Sequence, residues 1–267
     1  MMQTALQRRA SSAGRSTAVL IAALVLAAFS GGKPASAQQL GTIRFDNWLY
    51  FQENINDSER WQYRPRFFIP FDLSRGWTFT QRIDLPVYYT NNIGPENPDG
   101  GWKAGIGDWF IEEAFTSPEV SKNLRLFGSV RFVFPTGGGA PFGGNQYQWA
   151  PAIGAVYVVP DHKIAISPTA RYFMSYHAVR SGGIQLRSLN LFPAVTFGLP
   201  DDWSLAFYPE NPIVYNDNTN KWFVPIDVML IKRLSKTVEF GFGGSYGLVK
   251  DDPQYQYIIN GRLTFYF

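Results

Sequence analysis

The chain has 267 residues, a formal net charge of +3, no cysteine and a heavy aromatic content of 16%. The mean hydropathy is −0.14, and no segment after residue 37 is long and apolar enough for a membrane-spanning helix, so residues 38–267 are not expected to cross a membrane as helices. The lack of cysteine excludes disulfides and thiolate-bound metals.

The chain begins with features of a secretory signal peptide. Three arginines within the first fifteen residues precede an apolar stretch at 17–29, which is followed by the small-residue site Ala35-Ser36-Ala37. A basic region, an apolar core and an A-x-A site in this order predict a signal peptide over residues 1–37, cleaved after Ala37. The alternative is an N-terminal membrane anchor, for which this stretch is short compared with the usual span of about 20 residues.

Processing at this site changes the charge of the chain. Residues 1–37 hold Arg8, Arg9, Arg15 and Lys33 and no acidic residue, so their removal lowers the net charge from +3 to −1. A nucleic-acid partner requires a basic surface on the processed protein, and none is expected here. Residues 38–267 form a single predicted domain.

That domain divides into alternating apolar and polar segments bounded by turn residues. The predicted strands are 41–53, 60–72, 76–90, 104–116, 124–134, 146–159, 164–178, 184–199, 202–209, 221–234, 238–249 and 255–267. Twelve is an even number, as in bacterial outer-membrane barrels. Since only helices and closed barrels satisfy every backbone group in lipid, the pattern predicts an all-β fold, a transmembrane antiparallel β-barrel. A secreted soluble β-sandwich is the alternative.

The lengths of the connections favour the barrel. Most of the second, fourth, sixth, eighth and tenth connections are short, whereas 91–103, 135–145 and 210–220 are long and rich in Gly, Pro and Asn. Outer-membrane barrels have short periplasmic turns and longer outer loops. We therefore predict a barrel in the outer membrane of a Gram-negative bacterium, with both termini in the periplasm and lipid around the wall.

The two faces of the predicted strands differ in chemistry. In the second strand Trp61 and Phe67 share the apolar face, expected to meet lipid, and Arg60 shares the opposite face with other polar residues. Candidate lumen or solute-binding residues are Arg64, Arg66, Arg82, Asp84, Asp108, Glu112, Arg131 and Arg171. These charges form either an electrostatic eyelet for a solute or a ladder of salt bridges that stiffens the barrel. Trp77, Trp109, Trp203 and Trp222 are predicted at the lipid headgroups.

The final segment, IINGRLTFYF, alternates to the very end of the chain. Ile259, Leu263 and Phe265 share one face, and Asn260 and Arg262 share the other. In a barrel this strand pairs with the first one, so that no edge is left open. The terminal aromatic residue resembles the C-terminal signal of outer-membrane barrels, which makes the barrel-insertion machinery an expected partner.

Two short motifs lie in the first half of the domain. The segment Gly105-Ile106-Gly107-Asp108 opens a strand, and Pro135-Thr136-Gly137 ends the next one. In this order the motifs resemble the outer-membrane barrel family named after the meta-pathway of phenol degradation. The resemblance is concentrated at residues 104–160. It implies a channel or transporter for small solutes, including hydrophobic or aromatic ones, and no catalytic residue.

An enzyme is the least favoured class. Ser175 and His177 share a strand face, but no third member of a catalytic triad accompanies them. His162, the other histidine, lies in a predicted turn, so no metal site and no cofactor are expected. The two remaining functions are a channel for small-molecule solutes and an occluded structural barrel whose outer loops bind partners.

Overall fold

A computed structural model describes residues 42–178 and 185–267. The predicted signal peptide, residues 1–37, lies outside this part of the chain. The described residues form one antiparallel sheet of fifteen strand segments. The segments are β1 (Arg44–Glu53), β2 (Glu59–Asp72), β3 (Thr78–Asp84), β4 (Val87–Thr90), β5 (Lys103–Ile106), β6 (Trp109–Thr116), β7 (Leu124–Phe134), β8 (Gln146–Val159), β9 (Ile164–Ala178), β10 (Arg187–Gly198), β11 (Trp203–Phe207), β12 (Ile213–Asn216), β13 (Lys221–Arg233), β14 (Val238–Lys250) and β15 (Tyr257–Tyr266). Two short 3-10 turns, Ser74–Gly76 and Pro160–His162, connect strands. Among these residues, no helix has the length and apolarity that crossing a membrane demands.

The sheet closes into a barrel because β1 pairs with β2 on one side and with β15 on the other. The closing register runs without interruption from Arg44 opposite Tyr266 to Glu53 opposite Tyr257. Beyond it, the Phe267 amide donates to the Ile43 carbonyl at 2.9 Å. The alternating terminal segment is therefore the closing strand, and its backbone groups are paired on both sides.

The prediction of a twelve-strand barrel is confirmed. Three barrel strands are each built from two consecutive segments: β3 with β4, β5 with β6, and β11 with β12. The first pair is interrupted at Leu85-Pro86, where proline cannot donate a ladder hydrogen bond. Both β11 and β12 pair with β10 and with β13, so they occupy the same place in the wall.

The prediction of one long connection, 210–220, is wrong. Residues Ile213–Asn216 belong to the wall as β12, and the connection to β13 is only the turn at 217–220. The preceding residues, 208–212, leave the ladder and fold inward; we call them the inward insert. Its sequence, Tyr-Pro-Glu-Asn-Pro, has the composition of a loop, and for this reason the pattern alone hides the return to the wall.

The connections at the two rims differ in length. The rim that carries the described chain ends has the connections 73–77, 117–123, 160–163, 199–202 and 234–237. The opposite rim has the two longest described connections, 91–102 and 135–145, beside the shorter ones at 54–58, 217–220 and 251–256. This is the arrangement of outer-membrane barrels, in which the short turns are periplasmic. We call the two sides the inner rim and the outer rim.

The outward face of the barrel is apolar and exposed. Leu49, Phe71, Ile153 and Phe242 are 41 to 71% exposed, and each occupies an outward position of its strand. A surface of this kind requires hydrocarbon around it, because water would leave large apolar areas unburied. The four tryptophans predicted at the headgroups, Trp77, Trp109, Trp203 and Trp222, all point outward and are 36 to 44% exposed.

Candidate functional site

The charged side chains of the lumen form one network of ion pairs. Asp84 on β3 lies at its first node, with an exposed fraction of 0%. The Nε of Arg66 donates to Asp84 at 2.9 Å, and Arg82 donates through two nitrogens at 2.7 and 2.9 Å. Arg66 lies on β2 directly opposite Asp84, and Arg82 lies on β3 two residues before it. All three side chains therefore share the inward face, as strand alternation requires.

Glu112 on β6 is the second node. Arg131 on β7 donates to Glu112 through two nitrogens at 2.7 and 3.1 Å, and Ser129 donates at 2.8 Å. Arg171 on β9 also donates to Glu112. Arg82 lies 3.6 Å from Glu112 and links this node to Asp84. Arg171 is on β9, the seventh strand of the barrel, and Glu112 is on β6, in the fourth. The network therefore leaves the wall and crosses part of the lumen.

Glu210, in the inward insert, is the third node, and sequence reasoning missed it. Arg66 binds its carboxylate through two nitrogens at 2.7 and 3.0 Å, and Arg64 donates at 2.8 Å. The Tyr50 hydroxyl donates at 3.0 Å. The insert belongs to the ninth barrel strand, whereas both arginines are on the second. Glu210 therefore bridges nearly opposite walls of the barrel.

The inward insert is held in place by Asp227 on β13. The Asp227 carboxylate accepts the backbone amides of Glu210 and Asn211 at 3.0 and 2.8 Å and the Asn211 side chain at 2.9 Å. The Tyr208 hydroxyl donates to the Pro225 carbonyl at 2.9 Å. Asp227 is 1% exposed, so the anchor is more deeply buried than the Glu210 side chain, which is 11% exposed.

Aromatic rings lie beneath the guanidinium groups. The Arg64 and Arg66 guanidinium carbons lie 4.9 and 5.1 Å from the ring centroids of Tyr50 and Trp48. The Arg131 guanidinium lies 4.0 Å from the Phe110 ring. These cation–π contacts fix the planes of the guanidinium groups and leave their edges for carboxylates.

Beside the network, one part of the lumen is apolar. Its buried members are Trp48, Tyr50, Phe223, Met229, Tyr255 and Ile258, which we call the apolar cluster. Tyr255 comes from the connection between β14 and β15 at the outer rim, packs on Phe223 with ring centroids 4.8 Å apart, and lies 2.7 Å from the Ser245 hydroxyl. Burial raises the pKa of Tyr255, so its hydroxyl stays protonated.

Asp108 is the one predicted lumen residue outside the network. Its two carboxylate oxygens accept the backbone amides of Gly137 at 3.0 Å and Gly144 at 2.6 Å. The Thr136 hydroxyl donates to the Gly107 carbonyl at 2.8 Å and accepts the Trp109 amide at 3.0 Å. The two sequence motifs thus meet, and they pin the connection 135–145, which we call the outer loop.

The outer loop leans into the lumen. Phe142 at its tip is 7% exposed and packs on Gly105, where an added Cβ would lie 2.7 Å from the ring. The glycine is therefore required for this contact. The backbone carbonyl of Pro141 accepts a hydrogen bond from Arg60 at 3.1 Å.

Ser175 and His177, the two residues considered for catalysis, contact different residues. The Ser175 hydroxyl donates to the Leu186 carbonyl at 3.3 Å and accepts the Leu186 amide at 2.5 Å. The His177 ring lies 6.0 Å from the Tyr147 ring, centroid to centroid. No group of three or more metal-ligating side chains occurs within residues 42–178 and 185–267.

The network carries an excess of positive charge. Its members are Arg64, Arg66, Arg82, Arg131 and Arg171 together with Asp84, Glu112 and Glu210. A ladder that only stiffens the barrel needs no more cations than anions. Two of the five positive charges have no counter-charge within the network, and the Asp227 carboxylate lies next to its Glu210 node.

Comparison of the sequence with known proteins found no matching family model and no matching curated protein. The fold resembles an outer-membrane channel from Pseudomonas putida F1, with a TM-score of 0.66 and 14% identity over 90% of this chain and 100% of that chain. The NanC porin has a TM-score of 0.53 and 11% identity over 84% of this chain and 98% of its own. The β domain of the Bordetella autotransporter BrkA has a TM-score of 0.51 and 11% identity over 86% and 100% of the two chains. At these identities the likeness extends to the barrel fold.

Proposed function

We propose that the protein is a channel in the outer membrane of a Gram-negative bacterium and that it admits small solutes with an apolar or aromatic body. The observation that carries the proposal is the apolar cluster inside the barrel. Porin lumens are polar and filled with water. An inward patch that includes Trp48, Phe223 and Met229 is unlike the lining of a water-filled pore. These side chains are packed against one another at 1% exposure, and they suit an apolar solute once the lumen opens.

The middle of the lumen is narrow. Arg66, Asp84 and Asp227 are 3%, 0% and 1% exposed although they point into the barrel. Barrels of about eight strands are filled by side chains and those of 16 to 18 strands hold open channels, so twelve strands leave a lumen that arginines can span. A solute passes only when the contact of Glu210 with the opposite wall opens, and we expect small ion conductance in consequence.

The family named after the meta-pathway of phenol degradation is our proposed assignment. Its support is the meeting of the two motifs, in which Asp108 and Thr136 tie the outer loop to the start of β6. Insertion through the alternating last strand is part of the same proposal, as is export by the signal peptide. We propose no enzymatic activity.

An occluded structural barrel is the second candidate, and it is favoured by the nearly complete burial of the ion pairs. Planar-bilayer recording separates the two. We expect small, discrete current steps that phenol, as an aromatic probe, interrupts in proportion to its concentration. Trp48→Ala should weaken this block, and Trp61→Ala, which removes an outward tryptophan, should not.

Silence in all three proteins, with heat-modifiable gel migration demonstrating a folded barrel, would favour the occluded barrel. Current steps that phenol leaves unchanged would retain a channel but remove the apolar solute from the proposal.

A further inference from the structure

Arg60 differs from the other arginines of the lumen. It lies at the outer end of β2, opposite Gln52 on β1 and Thr90 on β4. Its guanidinium lies 4.9 Å from the Tyr88 ring centroid and donates to the Pro141 carbonyl. Its Nε is buried without a hydrogen-bond partner. Within the part of the chain that the structure describes, no carboxylate lies within ion-pair distance of Arg60.

A cavity of about 290 Å³ lies against this side chain. Arg60, Tyr88 and Phe142 supply its charged and aromatic walls, and the backbone of Gly143 and Gly144 completes it. Its volume is at the small end of the range for ligand pockets. Asp108 also lines the cavity, but its two oxygens accept the amides of Gly137 and Gly144 and it forms no ion pair with Arg60. Its negative charge remains at the edge of the cavity, so the carboxylate of a ligand would have to approach from the side of Arg60.

We propose that this cavity binds the carboxylate head of a small organic anion at the outer mouth of the channel. Arg60 is the partner of the carboxylate, and the rings of Tyr88 and Phe142 contact the apolar body. The inference deepens the proposed function and rests on it, since it names the acidic head of the solute that the apolar cluster would accept.

The chemistry favours a carboxylate for two reasons. A guanidinium presents parallel N–H groups that match the two oxygens of a carboxylate, and charge-assisted bonds of this type are stronger than neutral ones. A partly desolvated cation without a counter-charge also gains more from an anion than a cation that is already paired.

The proposed site lies at the outer end of a row of arginines that face the lumen along β2. Arg60, Arg64 and Arg66 all face the lumen along β2, and alternate residues of a strand are about 6.6 Å apart. Tyr50 of the apolar cluster lies opposite Gln62, between Arg60 and Arg64. A carboxylate held by Arg60 therefore has an apolar surface one step further into the barrel and the next arginine, Arg64, two steps or about 13 Å further.

Calorimetric titration of the refolded barrel in detergent tests the proposal without requiring conduction. The probes are benzoate and its neutral analogue benzamide. We expect benzoate to bind wild type about tenfold more tightly than benzamide does, as one charge-assisted pair would provide. Arg60→Gln should weaken benzoate binding to the level of benzamide. Arg75→Gln, which removes an exposed arginine from the inner rim, should leave both affinities unchanged.

Phe142→Ala provides a second variant, in a connection rather than in the wall. It should weaken benzoate and benzamide alike, because it removes an apolar wall and leaves the charge. Equal affinities of wild type for the two probes, or benzoate binding that Arg60→Gln leaves unchanged, would overturn the proposal. Failure of the channel itself would appear separately, as a silent bilayer with the calorimetric result intact.

Discussion

Two of the described segments that enter the lumen, the outer loop and the inward insert, are each held by an aspartate that accepts backbone amides. Asp108 accepts two amides of the outer loop, and Asp227 accepts two amides and one side-chain group of the inward insert. The outer loop presents the ring of Phe142 and a backbone carbonyl near the mouth. The insert presents the carboxylate of Glu210 to two arginines in the middle.

The two segments share one kind of anchor, an aspartate that accepts backbone amides, but they present different side chains to the lumen. A carboxylate can hold an irregular segment because it replaces the ladder hydrogen bonds that the segment has lost. What the segment then does depends on its tip. The apolar tip lines the cavity at the outer rim, and the charged tip joins opposite walls across the lumen.

The largest effect should come from removal of the deeper anchor. Asp227→Ala leaves two amides and the Asn211 side chain without their acceptor in a buried place, so we expect a loss of about 3 kcal/mol in the free energy of unfolding. Urea unfolding in detergent micelles measures this loss. Asp161→Ala in an inner-rim turn is the matched control and should be neutral.

If the free energy of unfolding of Asp227→Ala equalled that of Asp161→Ala, other contacts would hold the inward insert. Asp227 would then not be an anchor comparable to Asp108.

Removal of the outer anchor should cost less. Asp108→Ala frees the amides of Gly137 and Gly144 near the rim, where water can replace the lost acceptor, and we expect a loss of about 1 kcal/mol. The outer loop should also become more susceptible to limited proteolysis, with cleavage mapped to residues 135–145. Unchanged proteolysis would mean that Thr136 and Phe142 suffice to hold the loop.

Much of the fold could be predicted because lipid imposes a simple rule. Every wall residue is either outward or inward, so the alternation of segments such as 258–267 determines strand, face and closure together. The prediction went wrong at residues 210–220, where Asn211 and Pro212, together with the preceding Pro209, have the composition of an outer loop. The ladder partners of β12 are on β10 and β13, and the local sequence contains no information about them.

The candidate site was predictable to a smaller extent. Arginines and carboxylates at alternating positions of β2, β3, β6 and β7 could be placed in the lumen from their spacing. Glu210 could not, because its position follows from a break in the wall. Asp227 lies on the inward face of β13 between Pro225 and Met229, and its role as the anchor of the inward insert follows from contacts that the sequence pattern does not show.

The central claim is that Glu210 closes the middle of the lumen, and single-channel recording of Glu210→Ala beside Glu119→Ala tests it most directly. Glu119 is an exposed glutamate of an inner-rim connection, so its removal controls for the change in charge. We predict that Glu210→Ala raises the conductance step about twofold or more, whereas Glu119→Ala matches wild type. Equal conductance in all three folded proteins would contradict the claim.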